Sequence, residues 1–105
     1  MPDLTGLEIL ELADGETKSL IITAWQLGEA TIVPRSGPPA KRIRVLRVSV
    51  PAQEKLLGPP YWDITGQTLI EQMLPYLNQP DYQRRRFWVT KHGVPPTARF
   101  QLRVE

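Results

Sequence analysis

Hydrophobic and polar positions alternate most regularly at the end of the chain. Residues 84–92 and 97–105 each alternate with a period of two, which is the pattern of a half-buried strand. In the first run, Phe87 and Val89 share one face. The apolar face of the second run consists of Ala98, Phe100, Leu102 and Val104. Together with the short connection 93–96, the two runs predict a β-hairpin that is apolar on one side.

Earlier segments predict further strands. Residues 7–12 and 18–25 are apolar runs on either side of a turn, and residues 30–33 form a short apolar run before a proline. Residues 41–50 give the clearest strand in the middle of the chain, although its alternation changes phase near Val45 and Leu46. A β-bulge at this point would bring the apolar residues of both phases to one face.

A helix is predicted over residues 66–77, after a proline-rich aromatic loop at 59–62. Asp63 or Thr65 is the expected cap, because a short polar side chain can accept a hydrogen bond from the first free amides of a helix. Its apolar stripe consists of Leu69, Met73, Leu74 and Leu77. Pro75 predicts an irregular last turn, since proline cannot donate the helical hydrogen bond.

The resulting order is β-β-β-α-β-β in a mainly β chain of 105 residues, which we interpret as a single domain spanning residues 1–105. That is the order of an OB-fold, a five-stranded Greek-key barrel with its helix between the third and fourth strands. The predicted bulge favours this barrel, because a strand must bend to close one. The alternative is an α+β fold with a curved antiparallel sheet packed on one helix.

The amino-acid composition limits the kinds of functional site that the chain is expected to form. The chain has no cysteine and a single histidine, His92, so neither a disulfide framework nor a thiolate or two-histidine metal site is expected. No phosphate-binding glycine loop or nucleophile motif is recognisable, so the prediction is a protein that is not an enzyme and needs no cofactor. No secretory signal or membrane-spanning run is recognisable either, which predicts a cytoplasmic protein without membrane contact.

Charge is distributed unevenly along the chain. Residues 1–30 hold six acids and one base, a net −5, whereas residues 31–105 hold twelve bases and five acids, a net +7. The bases cluster at residues 41–47 and 84–86. Such a division predicts one basic face.

Cations and aromatic rings are interleaved in the basic segments. Arginines neutralise phosphates and aromatic rings stack on bases, so this pattern favours a nucleic-acid surface. In a barrel of this order, the middle strand would contribute to the ligand face, the tip of the hairpin would form a wall beside it, and Trp62 and Trp88 would offer stacking platforms. The candidate nucleic-acid-binding residues are Arg42, Arg44, Arg47, Trp62, Arg84, Arg86, Trp88, Lys91, His92, Arg99 and Arg103.

The C-terminal hairpin also resembles a hairpin that is found in a known group of proteins. The runs 86–93 and 97–102 are similar to the strand-Lys-x-Gly-loop-Thr-x-Arg-aromatic-strand hairpin of small OB-like proteins encoded by phages and mobile elements. The resemblance covers about a fifth of the chain and implies binding of single-stranded DNA. The doubled proline at 95–96 departs from the more flexible loop of that type.

Two classes of function follow from these patterns. The first is a non-catalytic module that binds single-stranded DNA or RNA through a basic and aromatic sheet face. The second is a protein–protein adaptor, an assembly subunit or an inhibitor, which docks through the basic face or through an acidic N-terminal hairpin. The second class includes self-association into a homo-oligomer.

Overall fold

The architecture is taken from a computed structural model, which describes residues 2–33, 37–94 and 98–105. Six strands and one α-helix make up the regular structure. They are β1 (Thr17–Ile21), β2 (Ala24–Ile32), β3 (Lys41–Ser49), β4 (Tyr61–Ile64), α1 (Gln67–Leu77), β5 (Arg86–His92) and β6 (Arg99–Val104). The prediction of a mainly β chain is confirmed, as is the helix, which starts one residue later than expected.

The strands form two antiparallel sheets of three. One has the order β1-β5-β6 and the other the order β2-β3-β4. Within the described residues no strand pairing joins β4 to β6, and the sheets do not close into a barrel. The C-terminal hairpin is confirmed as β5 and β6, with Phe87 opposite Val104 and Val89 opposite Leu102. The predicted positions Pro95, Pro96 and Thr97 lie outside the described residues.

The main core lies between the two sheets and the helix. It contains Leu20 of β1, Ile22 directly after β1, Leu46 and Val48 of β3, and Phe87 of β5. Helix α1 adds Leu69, Ile70, Met73 and Leu77, so the predicted stripe is correct apart from Leu74, which is only partly buried. Pro75 stands inside the helix without ending it. No helix in the described part of the chain is long and apolar enough to span a membrane.

Strand β3 is buried on both faces, and this accounts for its change of phase. The pairing of β2 with β3 runs in unbroken register from Ala24–Ser49 to Ile32–Lys41, so the predicted bulge is wrong. Leu46 and Val48 belong to the main core. Val45, of the opposite parity, belongs to a second, smaller core on the other side of the sheet. Neighbouring side chains of a strand point to opposite faces, so two cores need no bulge.

The second core is covered by residues 2–10, which we call the N-terminal strap. The strap starts beside β2, where Leu4 N donates to Glu29 O at 2.8 Å. It ends beside β4, where Leu10 N donates to Asp63 O at 2.9 Å. Each contact is an isolated parallel bridge, so the predicted strand at 7–12 is wrong. A segment that runs across a sheet can hydrogen-bond to an edge strand only at the point where it crosses that strand.

The other strand boundaries also differ from expectation. The predicted strand 18–25 is divided between β1 and β2, and the predicted short strand 30–33 is mostly the end of β2. Gly28 lies in the middle of β2, where a Cβ atom would lie only 2.7 Å from Pro2 O of the strap. The glycine therefore makes room for the strap.

Replacement of Gly28 by alanine should loosen the N-terminal strap. The added methyl would also meet Leu4 Cγ at 2.8 Å, so the strap must move and Leu4 must lose its burial. Burial of a leucine contributes about 1.5–3 kcal/mol. We expect G28A to lower the free energy of unfolding in urea by about that amount and to make residues 2–10 sensitive to protease. Unchanged stability and protection would contradict a close approach of the strap.

Strand β4 lies where an aromatic loop was predicted. Tyr61 and Trp62 begin the strand, and Asp63 lies inside it, fully buried. The expected helix cap at Asp63 or Thr65 is therefore wrong, since the cap position is Gly66 and has no side-chain hydrogen bond. Asp63 instead pairs with an arginine of β3, and that partner outweighs capping.

Candidate nucleic-acid interface

A basic surface lies on the side of the β1-β5-β6 sheet that faces away from the main core, which we call the outer face. Pairing of the three strands determines its members, because residues directly opposite each other share a face. Strand β1 contributes Thr17, Ser19 and Ile21, and β5 contributes Arg86, Trp88, Thr90 and His92. Strand β6 contributes Arg99, Gln101 and Arg103. Five of the predicted site residues therefore lie together.

Trp88 occupies the centre of the outer face between two arginines. The guanidinium carbon of Arg103 lies 5.1 Å from the indole centroid, and that of Arg86 lies 5.9 Å away. Arg86 also donates to Ser19 Oγ at 3.1 Å. These are cation–π distances, so the ring holds both cations in place. A base that approaches this ring therefore meets guanidinium groups first, which stack on bases as aromatic rings do.

A shallow cavity of about 310 Å³ opens beside Trp88. Its lining is Thr17, Trp88, Thr90, Gln101 and Arg103. The Thr17 and Thr90 hydroxyls are hydrogen-bonded to each other at 2.7 Å. The Trp88 Nε1–H is buried without a hydrogen-bond partner within the described structure. The Arg103 guanidinium only donates hydrogen bonds, whereas the threonine hydroxyls and the Gln101 amide can both donate and accept, so the lining suits a polar ligand with an acceptor group for Arg103.

Acidic neighbours of the outer face are few and weakly engaged. Arg103 approaches Glu105 at 3.6 Å with both side chains exposed, and Arg86 approaches Glu54 at 3.7 Å. Arg99 is exposed and has no carboxylate within 4.0 Å in the described residues. Such contacts contribute little to stability, because water screens exposed pairs. The guanidinium groups thus remain available to an anionic ligand.

The arginines near the start of β3 lie elsewhere and are neutralised within the chain. Arg42 binds Asp3 of the strap and Glu29 of β2. The hydrogen bond to Asp3, followed by that to Glu29, raises the pKa of Arg42. Arg44 binds Glu71 of α1. Neither residue belongs to the sheet that carries the outer face.

Arg47 has the most enclosed partner of the three. Its Nε lies 2.8 Å from Asp63 Oδ1, and a second nitrogen lies 3.1 Å from Oδ2, so the contact is bidentate. The hydrogen bond to Asp63 raises the pKa of Arg47. The same guanidinium donates to Thr5 O of the strap and lies 4.1 Å from the Tyr61 ring. Because three hydrogen bonds and a ring contact hold this guanidinium, Arg47 is part of the framework.

Three further predicted residues are separated from the outer face. Lys91 has the opposite parity to His92 and lines a different cavity, with Phe100 and Leu10. Trp62 packs against the main core and has two lysine ammonium groups, at 4.5 and 5.0 Å from its ring. It is therefore not a free platform. Arg84 is exposed in the turn before β5.

His92 ends β5 on the outer face, where its imidazole contacts a glutamine of β6. Its Nε2 lies 3.1 Å from Gln101 Oε1. Among residues 2–33, 37–94 and 98–105, no three acidic or histidine side chains group closely enough to hold a metal ion.

Sequence reasoning missed the polar partners of Trp88. Thr17 and Gln101 line the cavity, but a threonine and a glutamine on exposed strand positions give no distinctive signal. The period of two would have placed Gln101 beside the arginines of β6, whereas Thr17 required knowledge that β1 pairs with β5. Comparisons of the chain with protein-family models, curated proteins and solved structures found no match.

Proposed function

We propose that this protein is a non-catalytic module that binds single-stranded nucleic acid across the outer face. The observation that carries the proposal is the cluster of Arg86, Trp88 and Arg103 on an open sheet, beside a cavity lined mostly with polar side chains. Guanidinium groups suit phosphates and stack on unpaired bases. Arg99 extends the positive charge along β6 to the end of the hairpin.

The strand pairing supports an OB-like arrangement that is open on one side. Residues 17–32 form two short strands separated by two residues, and they pair first with β5 and then with β3. Helix α1 follows β4 and precedes β5, as the helix of an OB-fold does. We propose that the fold is an OB-like barrel in which the closing pair, β4 with β6, is absent. The usual ligand face of such a barrel is covered here by the N-terminal strap, and the ligand therefore meets the neighbouring sheet.

Fluorescence anisotropy with labelled oligonucleotides tests the proposal. Single-stranded DNA, single-stranded RNA and duplex DNA of equal length would be titrated with the full chain at several salt concentrations. We expect single strands to bind more tightly than duplex, with an affinity that falls steeply with salt because bound phosphates release counterions. Absence of binding at low salt would overturn the proposal.

The same titrations separate the proposal from its alternative, a protein partner. On the acidic side of that alternative, Asp3, Glu8 and Glu29 are engaged in ion pairs within the chain. Glu11, Asp14 and Glu16 are exposed and form no ion pair within the described residues, so they are the carboxylates that a basic partner would meet. A module that docks on proteins would show no affinity for any of the three oligonucleotides.

A further inference from the structure

Two adjacent leucines are the most exposed large apolar side chains in the described chain. Leu56 and Leu57 are each 86% exposed. They lie in the loop between β3 and β4, which contains Pro51, Pro59 and Pro60 as well. Single exposed apolar residues are common, but a pair at one loop tip forms a patch, and exposed patches mark binding sites.

The residues on either side of Leu56 and Leu57, which form the tip of this loop, are fixed by hydrogen bonds and close packing. Lys55 is buried, and its Nζ donates to Glu8 Oε1 and to Pro59 O, both at 2.7 Å. Gly58 has φ of +79°, and a Cβ atom there would lie 2.8 Å from Glu8 Oε1. The residues on both sides of the leucines are therefore locked, so the leucines project from a closed loop. A preformed tip binds with a smaller entropy cost than a mobile one.

The loop is also attached to the outer face. Arg86 donates to Ser19 Oγ of β1 and, on the same side, approaches Glu54 at 3.7 Å. Leu56 follows Glu54 by two residues, so its Cα lies within about 7 Å of the Glu54 Cα. The leucines thus flank the β1 side of the face, whereas Arg99 and Arg103 lie on β6, at the other side.

We infer that the leucine tip contacts the bases of a bound single strand, whose phosphates lie over β6; this rests on the proposed function. The face has cations on one side, a guanidinium-flanked indole in the middle and an apolar tip on the other side. A single strand has the matching profile, with anionic phosphates along one side and apolar base faces along the other. A duplex hides its base faces in the stack, so it offers the leucines no comparable contact.

The double variant L56S/L57S tests the inference. It changes no charge, so the slope of log affinity against log salt should stay the same. Affinity for single-stranded DNA should fall at least about tenfold, since burial of one leucine is worth about that factor. The variant's affinity for an abasic strand of equal length should equal that of the unaltered chain, because no bases are present to contact. V33S, at another exposed apolar position, is the matched control and should bind normally.

The possible results separate the inference from the proposed function. If the unaltered chain binds no oligonucleotide, the proposed function and the inference both fail. If it binds with a clear salt dependence and L56S/L57S binds equally well, only the inference fails. If the unaltered chain self-associates in sedimentation and the double variant is monomeric with full affinity for DNA, the tip binds a second copy and the inference is overturned.

Discussion

Asp63→Ala should destabilise the fold more than any other single change considered. Asp63 is fully buried. It accepts two hydrogen bonds from Arg47 and one from Glu8 N at 2.8 Å. Alanine would leave a guanidinium and an amide without their acceptor. Removal of one partner from a buried ion pair costs about 3–5 kcal/mol. Because the Arg47 side chain is 18% exposed, we expect about 3 kcal/mol.

That loss is large for a chain of this size. Domains of 105 residues are stable by about 5–15 kcal/mol, and each kcal/mol lost lowers the melting temperature by about 4–8 °C. Urea unfolding monitored by tryptophan fluorescence would measure the change. Glu71→Ala is the matched control, since it breaks an exposed pair with Arg44 on the same strand and should cost less than about 1 kcal/mol. Equal losses in the two variants would show that burial of Asp63 does not matter.

Arg99→Glu combined with Arg103→Glu should abolish most of the binding to single-stranded nucleic acid. Both side chains are exposed on β6, so the change should leave the fold intact. A charged hydrogen bond contributes about 1.5–3 kcal/mol, and 1.4 kcal/mol is a factor of ten, so two lost contacts should weaken binding about 100-fold or more. The slope of log affinity against log salt should also fall by about 1.4, or 0.7 for each phosphate contact.

Arg44→Ala provides the control for this experiment. It removes one positive charge from the chain, but its guanidinium is already paired with Glu71 and faces α1 rather than the outer face. Affinity and salt slope should therefore be nearly unchanged. A loss similar to that of the double variant would mean that binding follows net charge and not the outer face.

Local patterns predicted the fold well where one face of an element is buried. The hairpin of β5 and β6 and the helix α1 each have a single apolar face, so period and composition were sufficient. Strand β3 has two buried faces, and the sequence pattern of such a strand also fits a bulge. Only the presence of the strap, which comes from the other end of the chain, distinguishes the two cases.

Local patterns predicted the candidate site only in part, for the same reason. Parity along β5 and β6 was enough to group Arg86, Trp88 and Arg103, because adjacent strands of a hairpin share their faces. The arginines of β3 have equally basic surroundings in sequence, yet their carboxylate partners come from the strap, from β2 and β4, and from α1. Neutralisation by residues distant in sequence leaves no local signal, so these arginines could not be separated from the outer face.

The N-terminal strap has a consequence for the order of events during synthesis. Its amide at Glu8 finds its acceptor, Asp63, only after 55 further residues have been made. At translation rates of about 5–20 residues per second, the strap waits roughly 3–11 s for that partner. Leu4 and Leu7 have no sheet to cover until β2 and β3 have been made, which requires synthesis to reach Ser49. The strap is therefore made before the strands that it covers and is among the last segments to reach its native position, and it must stay free of other apolar partners in the meantime.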